Sequence, residues 1–316
     1  MNILGVKLNI HKKFFSKIGF NYLIMGIVAI ICQIIIVNLI NITHPEYLAN
    51  INILSGLSSF CNYVLPFPIF YWLMKKLESY NLEKTGINVK KFITYIGISL
   101  TLMWIGNIIG LAITALLSGA IQTDISNPVQ NLINSADIWF NIIVISIVAP
   151  IFEETFFRKF LIDRTIKYGA RASIILSAVI FAFFHGNLNQ FFYALLIGGF
   201  FAYVYIKTGK ITYPIILHGI VNFMGSVVSL FIASSATRLQ SGFNMLDASI
   251  IIVYFLIICI FIIIGVLGLS NYKKVKFNGA KTEINLKSPL KTMFLNYGMI
   301  LFIGFFIFEI IRQIII

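Results

Sequence analysis

Apolar runs of roughly membrane-spanning length follow one another along this chain, separated by short polar connections. That pattern leaves few folding options. Nine runs are readable, at about 19–40, 54–74, 92–117, 138–157, 172–186, 190–206, 211–232, 249–269 and 293–313. A helix crossing a bilayer needs about 20 apolar residues. Inside lipid each backbone N–H and C=O must find its partner within the protein, so only helices and closed barrels span. The runs do not alternate, which excludes a barrel. Of the 316 residues, 59% are hydrophobic and 11% are charged, against about 25% charged in a soluble domain. The expected fold is all-α, a polytopic transmembrane helical bundle of about 8–9 spans. The fifth run is short, and only residues 186–189 separate it from the sixth. Either the two form a tight hairpin inside the bundle, or the fifth does not cross fully.

The charges set an orientation. Lysine and arginine number 24 against 11 acidic residues, a net charge of +13. All but Arg238 and Arg312 fall in five places: the N-terminal arm (Lys7 to Lys17), the second–third loop (Lys75 to Lys91), the fourth–fifth connection (Arg158 to Arg171), the sixth–seventh loop (Lys207, Lys210) and the eighth–ninth loop (Lys273 to Lys291). With nine alternating spans these lie on one side. The positive-inside rule then makes the N-terminus cytoplasmic and places the C-terminus outside. Basic residues confined to loops between spans argue against a nucleic-acid partner and for the lipid bilayer as the surroundings. The stretch Asn271 to Lys291 is too short to bury a core of its own and reads as a basic cytoplasmic loop suited to anionic headgroups. Cys32, Cys61 and Cys259 have neither paired nor metal-ligand spacing and read as small buried packing residues. The first apolar run lacks a small-residue cleavage site and reads as a span rather than a cleaved signal. The Ile-, Asn- and Lys-rich composition suggests an AT-rich bacterial genome, and hence a multi-pass protein of the bacterial plasma membrane.

Ionisable residues at membrane depth mark a functional site by default. Glu153 and Glu154 close one apolar run, with Arg158 four residues beyond Glu154. At about 100° per residue, Glu154 and Arg158 share a face, whereas Glu153 and Arg158 stand about 140° apart. Arg158 therefore pairs most easily with Glu154 and holds it charged, which leaves Glu153 as the group free to accept a proton. Pro150 kinks the helix one turn earlier. The alternative is a helix end at which both glutamates reach water and Arg158 begins the loop. His185 closes another apolar run, and His218 and Asn222, four apart, share a face of a third. His11 and His44 stand in polar surroundings. Two mechanisms fit these residues. Glu153 with His185 can hold and deprotonate a water while His218 and Asn222 donate to the oxyanion. Alternatively, Glu153, His185 and His218 can ligate a divalent metal such as zinc. An HExxH helix, a GxSG serine motif and a GxGD aspartate pair are all absent from the sequence.

Glu153-Glu154-x-x-x-Arg158, Phe181-x-x-x-His185 and His218-x-x-x-Asn222, in that order on separate helices, resemble the CPBP family (CAAX protease and bacteriocin-processing, or Abi), which includes the type II CAAX prenyl endopeptidase. The similarity covers about residues 138–232. It implies an intramembrane endopeptidase, a hydrolase cutting a membrane-associated peptide or protein. It further implies that Glu153 activates water, His185 positions it, Glu154 and Arg158 support the site, and His218 and Asn222 stabilise the oxyanion. The family is usually labelled metallopeptidase, and a metal-free glutamate mechanism has also been argued for it. The chain then divides into N-terminal transmembrane helices (1–137), a CPBP/Abi-like core (138–232) and C-terminal helices with the basic loop (233–316). In a bacterial host the resemblance implies bacteriocin immunity or peptide maturation.

Two other classes compete with the endopeptidase. A non-enzymatic bacteriocin-immunity binding protein would need the polar residues only for structure. A transporter would use buried Glu, Arg and His to relay protons or bind solute, although no inverted repeat is visible. Glu309 and Arg312 read as a local pair, and Trp72, Trp104 and Trp139 as interfacial or packing residues.

Overall fold

A computed structural model describes residues 3–271 and 284–315, with side chains described from residue 9 onward. Its regular elements are all helical: α1 (Ile3–Thr43), α2 (Ile51–Tyr63), α3 (Phe67–Met74), α4 (Val89–Ile121), α5 (Pro128–Ser135), α6 (Ile138–Tyr168), α7 (Ala170–Phe184), α8 (Leu188–Thr208), α9 (Thr212–Ser241), α10 (Met245–Ser270), α11 (Pro289–Phe294) and α12 (Tyr297–Ile315). Among the described residues, eight helical stretches are long and apolar enough to cross a membrane, with α2 and α3 together forming one of them. The chain is a multi-pass membrane protein. Asparagine side chains cap the starts of five helices: Asn50, Asn88, Asn127, Asn187 and Asn244 each accept from a backbone N–H of the first turn. The Asn-rich connections therefore supply partners for the amides that the first turn leaves unpaired.

Several span boundaries differ from the sequence reading. The run at 54–74 is broken at residues 64–66, because Pro66 brings no N–H and disfavours helix at Leu65. The fifth run is a helix of 15 residues, α7, shorter than a full crossing. The first helix reaches far beyond 19–40, so Lys12, Lys13 and Lys17 sit on a helix and not on an arm. The largest change concerns the fourth run, predicted to end at 157. The helix continues to Tyr168, and Arg158 and Arg164 are buried within it. Arg164 stays there because its guanidinium donates to the carbonyls of Met74 (2.7 Å) and Phe160 (3.1 Å). Of the three cysteines only Cys61 is buried; Cys259 is exposed on the outer face of α10. Of the basic loop, residues 272–283, with Lys273, Lys274, Lys276 and Lys281, lie outside the described residues.

Helix α8 packs along α4 and α7, α4 along α10, and α1 along α12. The core is aromatic: Tyr22, Phe70, Phe156, Phe157, Phe181, Phe201 and Phe302 are all fully buried. Exposed isoleucines, leucines and phenylalanines such as Ile252, Phe255, Leu256 and Ile263 on α10 face the bilayer. Helices α1 and α12 cross closely because Gly19 and Gly298 meet: a Cβ on Gly298 would strike the Ser16 carbonyl, and one on Gly19 would strike the Gly298 backbone. Gly298→Ala is therefore expected to force the pair apart at a cost of about 1–3 kcal/mol. Thermal unfolding in detergent checks this, and an unchanged midpoint would show that the crossing has slack.

The basic connections gather at one end of the bundle. Tyr80 N–H donates to Asp163 O (2.6 Å), Thr85 N–H to Thr208 O (2.7 Å) and Ile284 N–H to Lys167 O (2.7 Å). Gly209 closes α8 at φ 60°, where a Cβ would strike the Glu83 backbone, so glycine is required there on two counts. Lys167 Nζ lies 3.1 Å from Glu78. The Tyr80 hydroxyl and then Lys167 hold the Glu78 carboxyl below the usual carboxylate range, so the tie persists at neutral pH. His11 meets the Tyr168 hydroxyl at 3.2 Å at this same end.

Candidate active site

The site is built where α6 leaves regular helical geometry. Residues 141–148 and 155–160 of α6 are π-helical, as are residues 224–228 of α9. Such turns cluster at functional sites because they redirect side chains and free backbone groups. In the first of them Ala149 N–H bonds Val144 O, five residues back. The same step would pair Ile145 O with residue 150, which is proline and has no N–H. Asn222 supplies the missing donor, its Nδ2 lying 2.9 Å from Ile145 O. One hydrogen of the Asn222 amide is thus committed to a carbonyl that Pro150 leaves free. The turn before Pro150, where the sequence suggests a kink, is this π-helical stretch.

The two adjacent glutamates follow one turn later and point into different surroundings. Glu154 is fully buried between two cations or potential cations. Its Oε1 lies 2.8 Å from His218 Nδ1, and its Oε2 lies 2.9 Å from Arg158 Nε. The Arg158 N–H groups are not aligned on that oxygen, so the contact is ionic and not a directed hydrogen bond. The Arg158 guanidinium carbon instead lies 4.3 Å from the centre of the Phe181 ring and 5.9 Å from that of Phe201. Aromatic faces stabilise a desolvated guanidinium. The arrangement with both glutamates at a helix end and Arg158 in a loop is thereby excluded.

Glu153 is 15% exposed. Its Oε2 lies 3.7 Å from His218 Nε2. Its Oε1 accepts a hydrogen bond of 2.6 Å from the Tyr63 hydroxyl. A carboxylate therefore faces each nitrogen of His218. His185 terminates α7, with Nδ1 2.7 Å from Phe181 O. A carbonyl only accepts, so Nδ1 carries the hydrogen and Nε2 of the neutral ring is an acceptor. The His185 ring is within electrostatic reach of Glu153 and of His218.

Phe181 organises this group. The His185 ring meets it edge-on at 4.6 Å, the His218 ring edge-on at 5.9 Å, and Arg158 lies over its face. One phenyl group buried in α7 thus touches three of the six predicted site residues. The structure links Arg158, Glu154, His218 and Glu153 in one chain of contacts, puts His185 beside them through Phe181, and sets Asn222 one turn beyond His218, on Ile145.

Two features escaped the sequence. Tyr63 comes from α2, in a region without a motif, and nothing in its local pattern separates it from other apolar-run tyrosines. Asn187, Gln190 and Tyr193 form a hydrogen-bonded chain, Asn187 Nδ2 to Gln190 Oε1 (2.5 Å) and Gln190 Nε2 to Tyr193 Oη (2.7 Å), which ends near His185. The capping role of Asn187 hides the chain, since that residue looks like an ordinary helix start.

The metal alternative was set on Glu153, His185 and His218. Among the described residues no three His, Cys, Asp or Glu side chains converge to hold an ion. Glu153 and His218 face each other, and no third such side chain joins them in a ligand set among the described residues.

No curated protein and no solved structure matches the chain. The family model described as Type II CAAX prenyl endopeptidase Rce1-like matches residues 135–224, a stretch that contains all six predicted site residues. That family is one of membrane-embedded proteases. Residues 135–224, under a third of the chain, are thus similar to the Rce1-like family of type II CAAX prenyl endopeptidases.

Proposed function

We propose that the chain is an intramembrane endopeptidase that hydrolyses a peptide bond of a membrane-associated peptide or protein with Glu153 as general base. The observation that carries this reading is the buried relay Arg158–Glu154–His218–Glu153, with contacts of 2.9, 2.8 and 3.7 Å. Glu154 fixes the ring through Nδ1, so Nε2 points at the Oε2 side of Glu153. A water hydrogen-bonded to that oxygen and to the lone pair of His185 Nε2 is oriented for attack on a carbonyl. Glu153 takes its proton as the oxygen–carbon bond forms. With Glu154 on its Nδ1–H, His218 donates to the oxyanion from Nε2 in its doubly protonated form, and the second amide hydrogen of Asn222 is the other donor. Glu153 then returns the proton to the leaving amine as the carbon–nitrogen bond breaks. The basic end of the bundle is the cytoplasmic one under the positive-inside rule. Bacteriocin immunity and peptide maturation are the settings that suit such an enzyme in a bacterial plasma membrane.

The test is direct. The purified protein in detergent micelles is offered a library of quenched-fluorescent peptides, and cleavage sites are read by mass spectrometry. Defined cuts support the reading; a library left intact, together with solute flux in proteoliposomes, would replace it with transport. A chelator arm addresses the metal. Treatment with 1,10-phenanthroline and dialysis is expected to leave turnover unchanged, whereas a loss that zinc restores would overturn the metal-free mechanism.

A further inference from the structure

Outside the segment that matches the family, one side chain reaches the general base. Tyr63 is the last residue of α2, 90 positions before Glu153, and donates its hydroxyl hydrogen to Glu153 Oε1 at 2.6 Å. A hydrogen bond to an ionised carboxylate at this length is of the short, charge-assisted kind. The tyrosine is itself held in register. Its ring stacks on Phe152, centroids 5.6 Å apart and planes 14° apart, immediately before Glu153 in the chain. The other end of α2 is pinned to the start of α6: Asn52 Nδ2 donates to Asp137 Oδ2 (2.6 Å) and Asp137 N–H donates back to Asn52 Oδ1 (2.9 Å). Helix α2 ends at Tyr63 because of Pro66, so the proline that breaks the second span also delivers the hydroxyl at this depth.

The consequence follows from the two oxygens of Glu153. Bound on Oε1 by Tyr63, the carboxylate cannot rotate freely about its last bond. Oε2 is then the oxygen left toward His218 Nε2, where the nucleophilic water is required. We propose that Tyr63 is a positioning residue for the hydrolytic reaction: through this bond the N-terminal helices orient the base, and the active site is complete only with α2. The inference rests on the endopeptidase reading above. It assigns Tyr63 no proton transfer of its own.

The test compares Tyr63→Phe with Glu153→Gln in the full-length protein, using the best-cut member of the peptide library. Phenylalanine keeps the stacking on Phe152 and removes only the hydroxyl. A misoriented base is expected to lower kcat about tenfold or more, with KM and the thermal midpoint essentially unchanged. Loss of packing would instead lower the midpoint and alter KM and kcat together. Full turnover by Tyr63→Phe, or a loss of activity tracking a loss of stability, overturns the inference. If Tyr63→Phe fails to fold, trifluorotyrosine at position 63 decides: it keeps the ring and hydroxyl but changes the donor strength. A kcat altered by about threefold or more at constant midpoint supports the bond, and an unaltered kcat overturns it. The Glu153→Gln arm separates the two levels. An inactive Glu153→Gln beside a fully active Tyr63→Phe sinks only the Tyr63 role, while turnover retained by Glu153→Gln sinks the endopeptidase reading and the Tyr63 role with it.

Discussion

Glu153→Gln is expected to reduce peptide hydrolysis by about 10²–10⁴-fold, the share of a general base in such reactions, while the protein remains folded. Glutamine is nearly isosteric and keeps an amide oxygen to accept the 2.6 Å hydrogen bond from Tyr63. It also leaves Glu154 with both of its partners, His218 and Arg158. The amide has no lone pair basic enough to take a proton from water. The loss should therefore fall on kcat, with KM and the thermal midpoint unmoved. Steady-state kinetics beside a thermal scan read both at once. Turnover equal to that of the unaltered protein would remove Glu153 as base and return the site to a structural or binding role. The neighbouring Glu154→Gln is a different experiment, since it disturbs the buried ion pair and the imidazole contact together. Its activity loss should come with a loss of stability.

Arg158→Leu is expected to destabilise the bundle by about 3–5 kcal/mol, the range for breaking one partner of a buried ion pair. Both side chains have no solvent exposure, and the guanidinium lies 2.9 Å from Glu154. With Arg158 removed, Glu154 remains in an apolar interior with only the His218 ring to balance it. The phenyl faces of Phe181 and Phe201 lose the cation they pack against. Arg158→Lys should recover only part of the loss, because a compact, strongly hydrated ammonium cannot lie flat on Phe181 as the guanidinium does. A double variant, Glu154→Met with Arg158→Leu, should unfold later than Arg158→Leu alone, since no unpaired charge is left. Chemical or thermal unfolding in detergent, followed by intrinsic fluorescence, measures the three. A single variant as stable as the parent would show that the pair is not the buried anchor of α6.

Much of the architecture is legible in the sequence because lipid imposes it locally. An apolar run in a bilayer has no alternative to helix, so the spans from α4 to α10 can be read without knowing what they touch. The i,i+4 spacing of Glu154 and Arg158 is likewise a property of one helix, as is that of Glu309 and Arg312, whose closest contact is 2.7 Å. Boundaries are read less well where a polar residue can be satisfied from elsewhere. Arg158 and Arg164 look like the start of a loop because their partners, the Phe181 ring and the Met74 carbonyl, lie on other helices. The short α7 shows the opposite case, in which run length does announce the irregularity, whereas the run at 54–74 reads as unbroken although Pro66 interrupts it.

The six site residues are singled out by type, since glutamate, arginine, histidine and asparagine are costly within apolar segments. What each touches is a matter of tertiary structure. Asn222 is on Ile145 O because a π turn and Pro150 together free that carbonyl. His218 presents Nε2 to Glu153 because Glu154 occupies Nδ1. Tyr63 belongs to the site although its own segment carries no signal. The sequence by itself determined a helical membrane bundle and the set of expensive residues within it, because the bilayer prices each residue one at a time. Only the tertiary structure decided which oxygen faces which nitrogen, since those distances depend on how α2, α6, α7 and α9 pack, and contacts between helices leave no period in any one of them.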